Sequence, residues 1–127
     1  MAARTTWATV RQLGLQLAGA EEGKAYGSPA LKVGGKMFAV VPTHRSAEPR
    51  SLAVRISFKD RDELLEADPD TFYIKEHYVN YPCVLVRLDR VHRDALADLL
   101  RMGWTFVSSS SRASRRSNAG RSRPVVR

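Results

Sequence analysis

The chain has a single cysteine, Cys83, which excludes an internal disulfide framework and any multi-cysteine zinc or iron–sulfur site. It lies in the apolar run YPCVLVRL and reads as a small core thiol. No stretch approaches the roughly 18 uninterrupted apolar residues of a membrane span. The opening MAARTTWATVRQ lacks the apolar block of a secretory signal, so a cytoplasmic location is the default expectation. Catalytic signatures are equally scarce. There is no Gly-x-Ser-x-Gly elbow and no Walker-type phosphate loop. His44, His77 and His92 never fall at the i,i+4 spacing of a helical metal site. Val33-Gly34-Gly35-Lys36 lies between two strand-like segments rather than before a helix, which makes it a hairpin turn. Glu21-Glu22, next to a helix exit, reads as a solvated loop. The expectation is a non-enzymatic protein with no catalytic residue, no cofactor and no metal.

Acidic residues are missing from one region in particular. The 127 residues carry 21 Lys+Arg against 13 Asp+Glu, a formal net charge of +8. From Ser108 to Arg127 there are six arginines, seven serines and no acid. Without that segment, 15 basic residues face 13 acidic ones, a net of +2. The segment is also almost free of apolar residues before Val125-Val126, so burial cannot offset the entropy of ordering it. The sequence therefore predicts one folded domain over 1–107 and a disordered Arg/Ser-rich tail over 108–127.

What is present in 1–107 is alternating helix and strand periodicity. Residues 6–18 read as an amphipathic helix, with Thr5 or Thr6 as cap, Trp7, Val10, Leu13 and Leu17 on one face, and Gly19 as its stop. A Gly34-Gly35 turn would pair Val33 with Lys36, Leu31 with Phe38 and Pro29 with Val40. That register puts Leu31, Val33, Phe38 and Val40 on the core face and Lys32, Met37 and Ala39 on the other. The polar connection 42–50 leads into SLAVRISF, with Leu52, Val54, Ile56 and Phe58 inward and Ala53, Arg55 and Ser57 outward. KDRDELLEADP is a short helix capped near Ser57 or Lys59. An aromatic segment (71–82), the strand CVLVRL and a closing helix with Leu96, Leu99 and Leu100 complete the order. The predicted fold is α+β, a single antiparallel sheet covered on one face by helices.

Two binding chemistries have a physical basis. Lys32, Lys36 and Arg55 on strands or a hairpin tip, with His44, Arg45 and Arg50 on the second connection, could form two basic wings along DNA phosphates. Arg112, Arg115 and Arg116 of the tail would add non-specific, salt-sensitive affinity. Alternatively, the aromatics Phe72, Tyr73, Tyr78 and Tyr81 around His77 form a stacking platform for bases or a pocket wall.

The segment from Ala25 to Ala39, AYGSPALKVGGKMFA, resembles a characteristic stretch of the MmcQ/YjbR-like family. Leu64-Leu65-Glu66-Ala67-Asp68-Pro69, Phe72, His77-Tyr78, Tyr81-Pro82, Leu96, Leu99-Leu100 and Trp104 resemble its later regions. The resemblance spans roughly residues 6–107. It implies a CyaY-like, double-wing α+β fold and a DNA-binding role, with no catalytic residue or cofactor to carry over. Tyr26, Gly27, Pro29, Lys32, Gly35, Lys36, Phe38, His77 and Tyr78 match its signature positions. Leu17 to Ala20, Gly103 and the Arg/Ser tail depart from the pattern. The leading expectation is thus a DNA-binding protein, a monomer by default and with no membrane association. The alternative is a small-ligand or protein-interaction module with a pocket near Tyr26, Lys32, His77 and Tyr78.

Overall fold

A computed structural model describes residues 5–120, with side chains described through Ser109. The first helix, α1 (Trp7–Gly14), starts after Thr6 and ends sooner than the apolar periodicity suggests. A side chain at Gly14 would overlap the buried Leu31, so the glycine lets helix and sheet meet closely. The chain then turns through Gly19, whose φ of +72° suits only glycine well.

Next comes a strand that the sequence reading assigned to a loop, β1 (Ala20–Ala25). It pairs along its whole length with β2 (Ser28–Val33). As an edge strand it buries little, so it lacks the apolar alternation that identifies interior strands. Glu22 turns toward α1, where Arg11 Nε lies 2.6 Å from its Oε1 and holds the carboxyl below its usual range.

The Gly34-Gly35 turn, with φ of +59° and +79°, joins β2 to β3 (Lys36–Val40) as expected, and Val33 faces Lys36. Beyond that pair the register differs from the simple hairpin. Lys32 faces Met37 but Leu31 faces Ala39, so Phe38 is an extra residue on β3, a bulge. The shift keeps Leu31 and Phe38 in the core beneath the helices and turns Val40 to the opposite face.

The remaining elements are β4 (Ser51–Arg55), α2 (Phe58–Ala67), β5 (Phe72–Tyr73), a 3₁₀ turn (Glu76–Tyr78), β6 (Cys83–Arg87) and α3 (Arg93–Gly120). Ser57 caps α2 by accepting the Asp60 N–H at 3.1 Å. Phe58 accordingly belongs to the helix and is exposed, rather than continuing the strand inward. The antiparallel sheet has the order β1-β2-β3-β4-β6-β5. Val10, Leu96, Leu99, Leu100 and Val107 from the helices pack on Leu31, Phe38, Leu52, Val54, Val84 and Val86. Burial of such apolar side chains, at roughly 25 cal/mol per Å², is the main favourable contribution to folding.

α3 crosses the sheet at Gly103. A Cβ there would lie 2.8 Å from Val54 Cγ1, 3.0 Å from the Arg55 carbonyl oxygen and 3.2 Å from that of the bulged Phe38. Trp104 Nε1 donates to the Ala18 carbonyl at 2.8 Å, fixing the helix to the α1–β1 turn. The expected domain end at Val107 falls inside α3, because neither glycine nor proline interrupts the chain between Gly103 and Gly120. Arg112, Arg115 and Arg116 are on this part of the helix, their side chains outside those described. Residues 121–127 lie outside the described residues. Among the described residues, no helix is long and apolar enough to cross a membrane.

Candidate functional site: an aromatic groove on the helix-free face

The sheet's second face carries its own small core. Ala30, Val40, Ala53, Tyr73 and Leu85 are buried there, with Ala25, Met37 and Tyr78 packed around them. Ala53 therefore does not face solvent as strand alternation alone suggested; it is 7% exposed. Two connections supply the cover. Residues 41–50 and 74–82 fold back over the sheet and leave between them a groove of about 430 Å³, within the size range of small-molecule sites. Its lining includes Tyr26, Met37, His44, Arg55, His77, Tyr78, Tyr81 and Cys83, and no acidic side chain.

Tyr73 and Arg87 hold the first connection in place. The Glu48 N–H donates to the Tyr73 phenol oxygen at 2.8 Å, and that oxygen lies 2.6 Å from Ser51 Oγ. Glu48 also binds Arg87 through two parallel bonds, Nε to Oε1 and Nη2 to Oε2, each 2.8 Å. This fork-to-fork geometry fixes orientation as well as proximity. Arg87 Nη1 reaches the Pro69 and Asp70 carbonyls at 3.1 and 3.0 Å, and its guanidinium carbon sits 4.4 Å from the centre of the Tyr73 ring. The hydrogen bonds from Arg87 hold the Glu48 carboxyl below its usual range.

The second connection is held from α2. Arg61 is 7% exposed, although it sits within the charged run KDRDE. Its Nη1 donates to the carbonyls of Tyr81 at 3.0 Å and Cys83 at 3.4 Å, and its guanidinium stacks on Phe58. Nothing in the sequence pattern separates Arg61 from its charged neighbours.

These two anchors bring distant aromatic rings together. His44 and His77 stack with centroids 3.6 Å apart and planes 10° from parallel. Tyr78 stands edge-on to both, 4.8 Å from His77 and 6.2 Å from His44. The Ser46 backbone N–H donates to His44 Nδ1 at 3.1 Å, so Nδ1 is an acceptor and the proton of the neutral ring sits on Nε2. Desolvation, then the neighbouring His77 and Arg45, lower the His44 pKa below its ordinary 6.5. Burial pushes the Tyr78 phenol up, against a hydrogen bond from the His44 backbone N–H. Burial likewise pushes the Cys83 thiol up, against Arg61 and Arg55.

Tyr26 completes the rim. It forms the two-residue β1–β2 turn with Gly27, and their φ values are +54° and +77°. Such a turn wants glycine, asparagine or aspartate at both positions. A tyrosine there is strained, and this one is 82% exposed.

The groove thus unites Tyr26, His77 and Tyr78 with His44 and Arg55, which the sequence reading had placed among DNA-contacting cations. Arg55 leaves β4 opposite Cys83, and its guanidinium carbon lies 5.7 Å from the Phe106 ring centre on α3. Lys32, facing Met37, shares this side of the sheet but lies along Gly23 rather than lining the groove. Lys36 faces Val33 and so lies on the helix side; the two lysines of the hairpin point to opposite faces. Arg45 is exposed beside His44. Arg50, at φ +60°, binds Asp89 at 2.6 Å and the Thr5 carbonyl at 2.7 Å. The connection 41–50 lies across the sheet, since Val41 to His44 line the groove and Glu48 is pinned to Tyr73 and Arg87. Sequence reasoning missed Glu48 and Arg61 as positioning residues. A lone acid in a two-proline connection was the one available signal for Glu48.

Fold and site together define a small α+β domain with helices on one face of an antiparallel sheet and an aromatic groove on the other. The chain belongs to the YjbR family, whose model matches residues 15–106. Among solved structures it is similar to the Deinococcus radiodurans protein DR2400, a DUF419 domain. The TM-score is 0.69 at 23% identity, over 85% of this chain and 82% of that one. No curated protein matches the chain.

Proposed function

We propose that the protein is a non-enzymatic binding module and that its site is the aromatic groove. The observation that carries this reading is Tyr26. An exposed tyrosine on left-handed backbone costs about 1–3 kcal/mol and packs little of its ring, so the fold itself gains nothing from it. At the rim of a groove with the His44–His77 stack, it gives a planar ligand an aromatic face. Binding rather than catalysis is favoured by three groups of the groove being shifted toward their neutral forms: the Cys83 thiol and Tyr78 phenol are pushed up, and the His44 imidazole is pushed down. An activated nucleophile needs the reverse at the thiol.

Duplex DNA held by two basic wings gains less from the geometry. Lys32 and Lys36 lie on opposite faces, Arg50 is engaged by Asp89 and Thr5, and His44 belongs to the groove. Thermal unfolding with a panel of planar aromatic compounds tests the groove. A ligand of the native state raises Tm in proportion to its occupancy, and the rise should vanish in His77→Ala. No rise with any compound, or an equal rise in the variant, would refute the reading.

A further inference from the structure

Resting on the groove reading, we infer that its ligand is an unpaired nucleobase carrying a phosphate, taken from single-stranded nucleic acid or from a free nucleotide. Three features of the face select this chemistry. The first is exposed aromatic surface: Tyr26 is 82% and Tyr81 59% exposed, and both line the same concave groove as the stacked imidazoles. Every base presents a π-face to such a platform, whereas a duplex hides those faces within its own stack. The second is charge. The groove lining has no acidic residue and includes Arg55. Around it stand Arg45 beside His44, Lys75 immediately before the 3₁₀ turn of His77, and Lys32 on the same side of the sheet, outnumbering Glu76 within that turn and Glu21 across from Lys32. That distribution suits a phosphodiester or phosphate leaving the groove and disfavours the organic cations that aromatic cages also take. The third is hydrogen bonding. With Nδ1 of His44 engaged by Ser46, its Nε2–H is a fixed donor suited to a base-edge carbonyl or ring nitrogen.

The platform sits on the helix-free face, so a strand can approach without displacing a helix. Stacking comes from the connections 41–50 and 74–82 and from the β1–β2 turn, not from the Gly34-Gly35 hairpin. Binding therefore follows the aromatic residues and is insensitive to Lys36, which lies on the opposite face.

The test is a fluorescence-anisotropy titration of the full-length protein with a labelled dT oligonucleotide, a mixed-sequence single strand and the blunt duplex of that sequence, at low and high salt. The single strands should bind more tightly than the duplex. Tyr81→Ala and Tyr26→Asn should each weaken single-strand binding by roughly 5- to 150-fold. Tyr81→Phe should retain it, and Lys36→Ser should change it little. Competition with a mononucleotide separates the sources: displacement at comparable concentration identifies one base with its phosphate as sufficient, and its absence assigns the site to a longer strand. Duplex binding equal to or tighter than single-strand binding, or unchanged affinity in both tyrosine variants, would overturn the inference. If no nucleic acid or nucleotide binds while aromatic compounds still raise Tm through His77, the base assignment fails and the groove reading survives.

Discussion

Replacing Gly103 with alanine tests how closely α3 and the sheet are packed. Helix propensity alone favours the change by about 1 kcal/mol. The structure opposes it. The new methyl would stand 2.8 Å from Val54 Cγ1 on a side chain with no exposed surface, and 3.0 and 3.2 Å from two strand carbonyl oxygens. Neither obstacle is the free end of a flexible chain, so α3 or the β3 bulge must shift. Overpacking of this kind costs about 1–3 kcal/mol. The net expectation is a loss of about 0–2 kcal/mol, read as a lower urea midpoint with an unchanged m-value. Gly23→Ala is the control, because the nearest atoms to its new methyl are 3.5 Å away at the end of the Lys32 side chain. That variant should stay within about 0.5 kcal/mol of the parent. A Gly103→Ala protein more stable by the full propensity term would show that helix and sheet are not in the contact described.

Tyr26→Asn should raise stability by about 1 kcal/mol, because asparagine tolerates the left-handed conformation; a lower Tm would contradict the strain at this turn. Arg61→Met should cost about 1–3 kcal/mol by removing the charged donor shared by the Tyr81 and Cys83 carbonyls, the first of which keeps only the Cys83 N–H, and should shift the amide resonances of 79–83; a neutral change would remove Arg61 as the anchor of that connection. Stability should fall as the solution is acidified in two separate windows. His44 has a folded pKa below its unfolded 6.5, so its contribution is complete above that pH and fades as pH falls toward the folded value. Glu48 and Glu22 act with the same sign below 4.5, and Glu48→Gln should shrink the lower window while leaving the upper one unchanged. An imidazole titration of His44 with a midpoint at or above 6.5 would refute its desolvation beside His77 and Arg45.

The helix-side core was legible in the sequence because it follows simple periodicities: Leu31 and Phe38 around a Gly-Gly turn, Leu52 and Val54 in alternation, and Leu96, Leu99 and Leu100 at helical spacing. β1 was not, because an edge strand draws its stability from backbone pairing with β2 and needs no apolar pattern. The bulge at Phe38 escaped for a related reason, since one inserted residue changes the facing of Val40 without changing composition. Of the groove, Tyr26, His77 and Tyr78 were marked by local words, but His44 was grouped with neighbouring cations. Its place depends on the Glu48–Arg87 pair, 39 residues apart, and on Tyr73 meeting Ser51 across 22. Such long-range polar fastenings leave no local trace. Gly103 likewise stood out in the sequence only as a departure from the family pattern, and its neighbours explain it.

The central claim is that ligand meets the protein on the helix-free face. A ¹H–¹⁵N correlation titration of the full-length protein with a short single-stranded oligonucleotide tests it most directly. The account predicts shifts at Tyr26, His44, His77, Tyr78 and Tyr81, with Lys36 and the helix-side residues undisturbed. Shifts centred on Lys36 and α3, with the groove resonances unmoved, would contradict it.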